Sequence, residues 1–363
     1  MREMVYLYLS SQQGLAGLHT MCIGLGMRLR EEGLRVGYMK PLGHRYHQEA
    51  GTVTDEDAAF MRRTLGLEED LSDICPVLLT PKLVNEALKG EAGDMLSRVR
   101  EALSRVEKGK DLVLIQGAYT SLQGRMLGIS AFELVPALRV PVILVERFND
   151  AYLADNVLFA RDRFGEALLG VIYNMVPANR DSFVRELLVP FLEKRGIPVL
   201  GVFPHERRLA SINVADLARL LDGKMLCGEE CGGVMVEDLV VGAMSQEHAL
   251  SIFRKRRNYC VVTGGDRSDI QLAAMEAGAS CLILTGNLYP SSIILGKAEE
   301  MGIPVILVGT DTFTTAERAE MIIRSARTHE ESKLQRLREL IGEHLDMERL
   351  HALAGIKPGG TAR

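Results

Sequence analysis

The residues best placed for chemistry lie in two glycine-bearing turns, each between a β-branched run and a helix-length segment. The first, Ser10-Ser-Gln-Gln-Gly14-Leu-Ala-Gly17, follows the apolar run Met4–Ser10. Its small residues let backbone amides approach a phosphate, and a helix starting after it presents free N–H groups to an anion. A working phosphate loop reads G-x-x-x-x-G-K-[ST], with lysine on the terminal phosphates and the hydroxyl on magnesium. Here Gly17 is followed by Leu18, His19 and Thr20. Thr20 supplies the hydroxyl only through a slip of register, and the lysine is lacking.

The second turn, Thr263-Gly264-Gly265-Asp266-Arg267-Ser268, has glycines for a tight reversal, Asp266 or Ser268 to cap the following helix, and amides that could hold an anion. The same residues serve a strand-to-helix turn with no ligand. Asp311 and Thr314 occupy the analogous turn after the last strand. Cys227 and Cys231 form a C-x3-C pair without a second pair or a spaced His pair, so the six cysteines are read as reduced core thiols and no metal site is expected. No Ser/His/Asp or Cys/His nucleophile motif occurs.

Turns of this kind must be carried by rigid strands. Short aliphatic runs alternate with helix-length segments, which predicts parallel βαβ units in a doubly wound α/β sheet covered on both faces. Strands are expected at 4–10, 34–39, 112–115, 140–145, 167–173 and 197–202, with helices near 18–32, 54–65, 84–106, 131–138, 153–164 and 182–194. Thr54-x-x-Asp57 fits a capped helix start, with Asp55 as cap or first-turn carboxylate. A break near 221–224 is followed by a second, smaller α/β pattern with strands at 238–243, 259–263, 281–284 and 304–308 and helices at 268–276, 292–301 and 314–325. Residues 331–353 then repeat leucine and isoleucine at helical spacing, a stripe that packs on its own chain or on a second subunit. The expected domains are 1–222, 223–328 and a helical tail, 329–363.

A chain of 363 residues exceeds one ordinary core, in line with that division. The net charge of −5 and the scattered basic groups argue against nucleic acid as a partner. No apolar run spans a bilayer and no cleavable leader is evident, so a cytoplasmic location without membrane attachment is expected.

The run Gly33-Leu-Arg-Val-Gly-Tyr-Met-Lys40-Pro41, the segment Thr54–Ala58, and the strand ends Leu114-Ile-Gln116-Gly117 and Val171-Ile-Tyr-Asn174 resemble the dethiobiotin-synthetase-like, P-loop-type N-terminal region of long phosphotransacetylases, as does Gly196–Gly201. Thr263–Ile270, Leu284-Thr-Gly286 and Gly309–Thr312 are similar to the DRTGG domain that follows it there. The phosphate-acetyltransferase catalytic domain of those proteins is not in this sequence, so acetyl transfer to coenzyme A is not implied.

The resemblance places Leu18 at the phosphate-loop lysine and His19 at the magnesium hydroxyl. Lys40 matches a substrate- or phosphate-facing lysine, Asp55 or Asp57 the acidic metal ligand, and Gln116 stands where the family has glutamate. Asn174 falls at the strand edge where related domains recognise adenine. Gly14, Gly17, His19, Thr20, Lys40, Asp55, Asp57, Gln116 and Asn174 are therefore the candidate nucleotide site, with Gly264, Gly265, Asp266, Arg267 and Ser268 as a second anion site. Charge around Mg-triphosphate is what catalyses phosphoryl chemistry. Its loss at three positions implies a non-catalytic regulatory or scaffolding protein that requires no cofactor, with an adenine nucleotide or acyl metabolite as ligand. A homodimer or higher oligomer and a partner enzyme of acyl or acetyl metabolism are expected. The alternative is an ATP-dependent, carboxylate-activating enzyme of dethiobiotin-synthetase type with an unconventional loop.

Overall fold

A computed structural model describes residues 4–44, 46–49, 52–206, 209, 211–324 and 331–357. The chain forms two compact units, one of Met1–His205 with His329–Arg363 and one of Glu206–Thr328.

The first unit is built on a six-stranded parallel sheet of β1 (Val5–Ser10), β2 (Val36–Met39), β3 (Leu112–Gln116), β4 (Val142–Arg147), β5 (Leu168–Val176) and β6 (Val199–Pro204). Their order across the sheet is β6-β5-β4-β1-β3-β2. After β1 the chain moves out to β2, whereas after β4 it moves the other way, so the order reverses between β1 and β4. In such sheets a crevice opens beyond the carboxyl ends of the strands at that point. Nearly every residue of β1 to β4 is apolar and buried, because helices cover both faces. One face is packed by α4 (Met95–Val106), α5 (Ala131–Leu138) and α6 (Asp155–Phe164), through residues such as Val99, Leu134 and Val157.

The expected helix over 84–106 is two: α3 (Pro81–Lys89) and α4. Gly90, in a left-handed conformation, ends the first, and the Asp94 carboxylate accepts from the Ser97 amide to start the second. The expected helix over 54–65 also starts later. Residues Thr52–Asp55 pair as a strand with Tyr46–Glu49, and α2 runs Glu56–Thr64 with Asp55, not Thr54, as its cap.

The C-terminal stripe packs on its own unit. Helix α12 (Glu331–His344) lies on α1 (Leu18–Glu31), where a methyl group on Gly24 would stand 2.6 Å from Ile341. Leu337, Leu340, Ile341 and Leu345 are buried. The Asp346 amide donates to Leu200 on β6, and Arg349 on α13 (Met347–Ala354) grips the Glu193 carboxylate with two bonds of 2.7 Å. Most of this stripe is thus used within the unit. Ile341→Ala is expected to cost about 3 kcal/mol, the range for emptying a tightly packed aliphatic site. Urea denaturation at equilibrium checks this.

The second unit carries β7 (Lys224–Cys227), β8 (Asp238–Val241), β9 (Tyr259–Gly264), β10 (Cys281–Thr285) and β11 (Val305–Leu307) in the order β7-β11-β10-β9-β8, with only β7 antiparallel. The compact units divide at 205/206 rather than at 222/223. Helix α7 (Val214–Leu220) belongs to the second unit, since Val214, Leu217 and Ala218 share a core with Ile306, Val308 and Ala319. Among the described residues no helix is long and apolar enough to cross a membrane.

Candidate functional site

Five of the candidate residues meet at the carboxyl edge of the first sheet, in one buried network. Lys40 follows β2, whose backbone leads it inward, and its side chain is 1% exposed. Its ammonium donates to Asp55 Oδ1 at 2.6 Å and to Asp57 Oδ2 at 2.7 Å. Asp55 is held by the amides of His44 and Asp57, each at 3.0 Å. Gln116, at the end of β3, accepts from the Tyr38 hydroxyl at 2.7 Å and from His19 Nδ1 at 3.1 Å, and its amide nitrogen donates to Asp57 at 3.3 Å. His19 Nε2 stands 3.7 Å from the other Asp57 oxygen. Burying ions is costly unless each is paired and hydrogen-bonded, and this cluster meets that condition from within the chain.

Magnesium takes oxygen ligands at about 2.0–2.1 Å in octahedral geometry. Both inward carboxylate oxygens here face an ammonium instead, the His19 imidazole stands beside Asp57, and Gln116 brings a neutral amide. These residues do not fit a magnesium-triphosphate group. Among the described residues no cluster of three His, Cys, Asp or Glu side chains suits a metal ion, Cys227 and Cys231 included, and all six cysteines are free.

The glycine-bearing loop lies on the other side of β1. Gly17, with φ of 81°, is the residue before α1, and no side chain caps that helix. Asn174 donates to the Ala16 carbonyl at 2.9 Å and accepts from the Met175 amide, so its amide holds the back of the loop. The Tyr119 ring lies directly over Gly14. Ser121 ties the segment after β3 to the loop, through its amide to the Ser11 carbonyl and its hydroxyl to that of Ser10 at 2.8 Å. Leu18 and Thr20 are half-buried at the helix start.

The residue that sequence reasoning missed is Glu146, at the end of β4. It is 1% exposed and faces the loop across the crevice. Oε1 accepts from the Gln12 amide at 2.6 Å and the Ser11 hydroxyl at 3.4 Å; Oε2 accepts from Gln13 Nε2 at 3.0 Å and Asn156 Nδ2 at 3.1 Å. Burial pushes the carboxyl above its ordinary value, and the four donors oppose that shift. The signal available in the sequence was a glutamate directly after four aliphatic residues, Val142-Ile-Leu-Val-Glu146.

In the second unit, Gln271 donates to the carbonyls of Gly264 and Gly265 at 2.9 and 3.1 Å. Arg267 is tied to Asp269 and to the Met244 carbonyl. Neither Asp266 nor Ser268 caps α9 (Ser268–Glu276); Arg267 holds the cap position with no side-chain cap. Gly265 packs against the Leu288 carbonyl so closely that no side chain could be placed there. Asp311 does cap its helix, accepting from the amides of Phe313 and Thr314.

A family model described as an AAA domain matches residues 6–213, and one described as a DRTGG domain matches residues 216–322. Phosphate acetyltransferase of Pseudomonas aeruginosa is 25% identical over 93% of this chain and 50% of its own length. That of Deinococcus radiodurans is 26% identical over 94% of this chain and 50% of its own. The chain thus spans about half the length of the curated relatives it matches. Among solved structures, the septum site-determining protein MinD of Pyrococcus horikoshii, complexed with Mg-ADP, is similar at 19% identity and a TM-score of 0.38, covering 57% of this chain and 84% of that one.

Proposed function

The chain belongs to the AAA domain family through residues 6–213, and from that premise we propose that it is a non-catalytic regulatory or scaffolding protein. It keeps the nucleotide-binding fold without magnesium-dependent phosphoryl chemistry. The observation that carries this reading is the ammonium of Lys40, seated on the two carboxylates a metal would need. Phosphoryl transfer is catalysed by positioned positive charge around the phosphates, and a cation locked between Asp55 and Asp57 is spent on the fold. The ligand is a nucleotide or an acyl metabolite. The partner is an enzyme of acyl or acetyl metabolism, the class to which the relatives' name belongs. Self-association belongs to the same reading, on a surface other than the C-terminal stripe.

Calorimetric titration with ATP, with and without magnesium, run beside a phosphate-release assay, tests it. The expected result is no magnesium-dependent hydrolysis above background. Magnesium-requiring turnover in proportion to protein concentration would overturn it. A second reading, ATP-dependent activation of a carboxylate, draws support from the retained acids Asp55 and Asp57. It requires Lys40 to leave them when nucleotide arrives.

A further inference from the structure

Glu146 is a carboxyl group buried near the end of β4. It stands between four aliphatic residues, Val142–Val145, and Arg147, where burial carries the cost of desolvating a carboxyl group. It has a complete set of donors. Ser11, Gln12 and Gln13 approach from the loop after β1, Asn156 from α6, and each carboxyl oxygen takes two hydrogen bonds. This occurs in the crevice where the strand order reverses, the place in such sheets where ligands bind. One donor is a backbone amide, and the Gln13 side-chain amide is anchored by donating also to the Arg147 carbonyl at 3.2 Å. The adjacent Tyr173 hydroxyl takes no part, since it donates to the Leu153 carbonyl.

We infer that Ser11, Gln12, Gln13 and Asn156 form a carboxylate seat whose resident is the chain's own Glu146, so that an organic carboxylate binds there in exchange for it. This rests on the regulatory reading above and names the ligand class: a small acid, recognised by a planar, two-oxygen group meeting four donors. Glu146 is then an internal competitor that sets the concentration at which the acid is sensed.

The test removes the resident. Glu146→Ala deletes a fragment the size of acetate and leaves the donors in place. Its melting temperature is expected to fall, and millimolar acetate, the affinity range open to so small a ligand, to recover at least half of the loss. Chloride at equal ionic strength should recover none. Hydrogen exchange of residues 11–17 should slow in parallel. Glu146→Gln, which keeps the seat filled, should not respond to acetate. If Glu146→Ala is recovered only by refolding, the yield in acetate against chloride is the same readout. Equal behaviour of the alanine variant in both salts, or an equal response from Glu146→Gln, would overturn the inference and leave the regulatory reading standing. Magnesium-dependent turnover by the wild type would remove that reading and leave the seat untouched.

Discussion

Replacing Lys40 by methionine is expected to destabilise the first unit by about 3–5 kcal/mol, the cost of stripping one partner from a buried ion cluster. Methionine matches the length of the lysine stem, so the cavity contribution is small and the loss is electrostatic. Asp55 and Asp57 would be left within bonding reach of one former ammonium position, with no cation between them. Like charges in a buried site drive up the carboxyl pKa values. The variant should therefore lose stability as pH rises through those raised values, and recover towards wild type in acid. Adding Asp57→Asn, which removes one of the two charges while keeping the amide contact from Gln116, should restore part of the loss. Urea denaturation across pH measures all three. A Lys40→Met protein within 1 kcal/mol of wild type at neutral pH would show that the ammonium is not the cation of this site.

Gly265→Ala should disrupt the second unit by several kcal/mol, on the order of 4, because a methyl group there overlaps the backbone carbonyl of Leu288. A flexible side chain can step aside, but a carbonyl in a turn that follows β10 can move only with its strand. That turn is already constrained: Gly286 and Asn287 have φ of 73° and 55°, and their amides bond to Thr310 and Val308. Hydrogen exchange should show loss of protection across 259–308 and none in the first unit. Unchanged protection in β9 and β10 would refute the claim that Gly265 acts through contact with that turn.

The parallel sheets were legible because strands buried on both faces are continuous apolar runs, and β1, β3, β4, β9 and β10 carry that pattern plainly. The short hairpin pairing 46–49 with 52–55 was not. Its polar strands, Tyr-His-Gln-Glu and Thr-Val-Thr-Asp, lack the aliphatic run that marks a buried strand. The expected boundary fell after α7 because a helix end reads like a domain end until it is known which core the helix joins.

For the site, residue types and spacing alone determined that the first turn lacks a phosphate-loop lysine, and that any function must do without that charge. The resemblance placed His19, Lys40, Asp55, Asp57 and Gln116 in one candidate site, with Gly14, Gly17, Thr20 and Asn174. Only tertiary structure decided what the group does with its charges. A strand-end lysine is either a solvated ligand contact or a buried counter-ion depending on where two aspartates on a later segment come to lie, and those aspartates are placed by a hairpin and a helix start that local sequence leaves open. Glu146 lies further still beyond the reach of sequence. Its donors Ser11, Gln12 and Gln13 precede it by more than a hundred residues, and they meet it only because β1 and β4 are neighbours in the sheet. Hydrogen bonds act over about 3 Å in space without regard to distance along the chain, so a charge whose partners arrive from a distant strand has its role set by the fold.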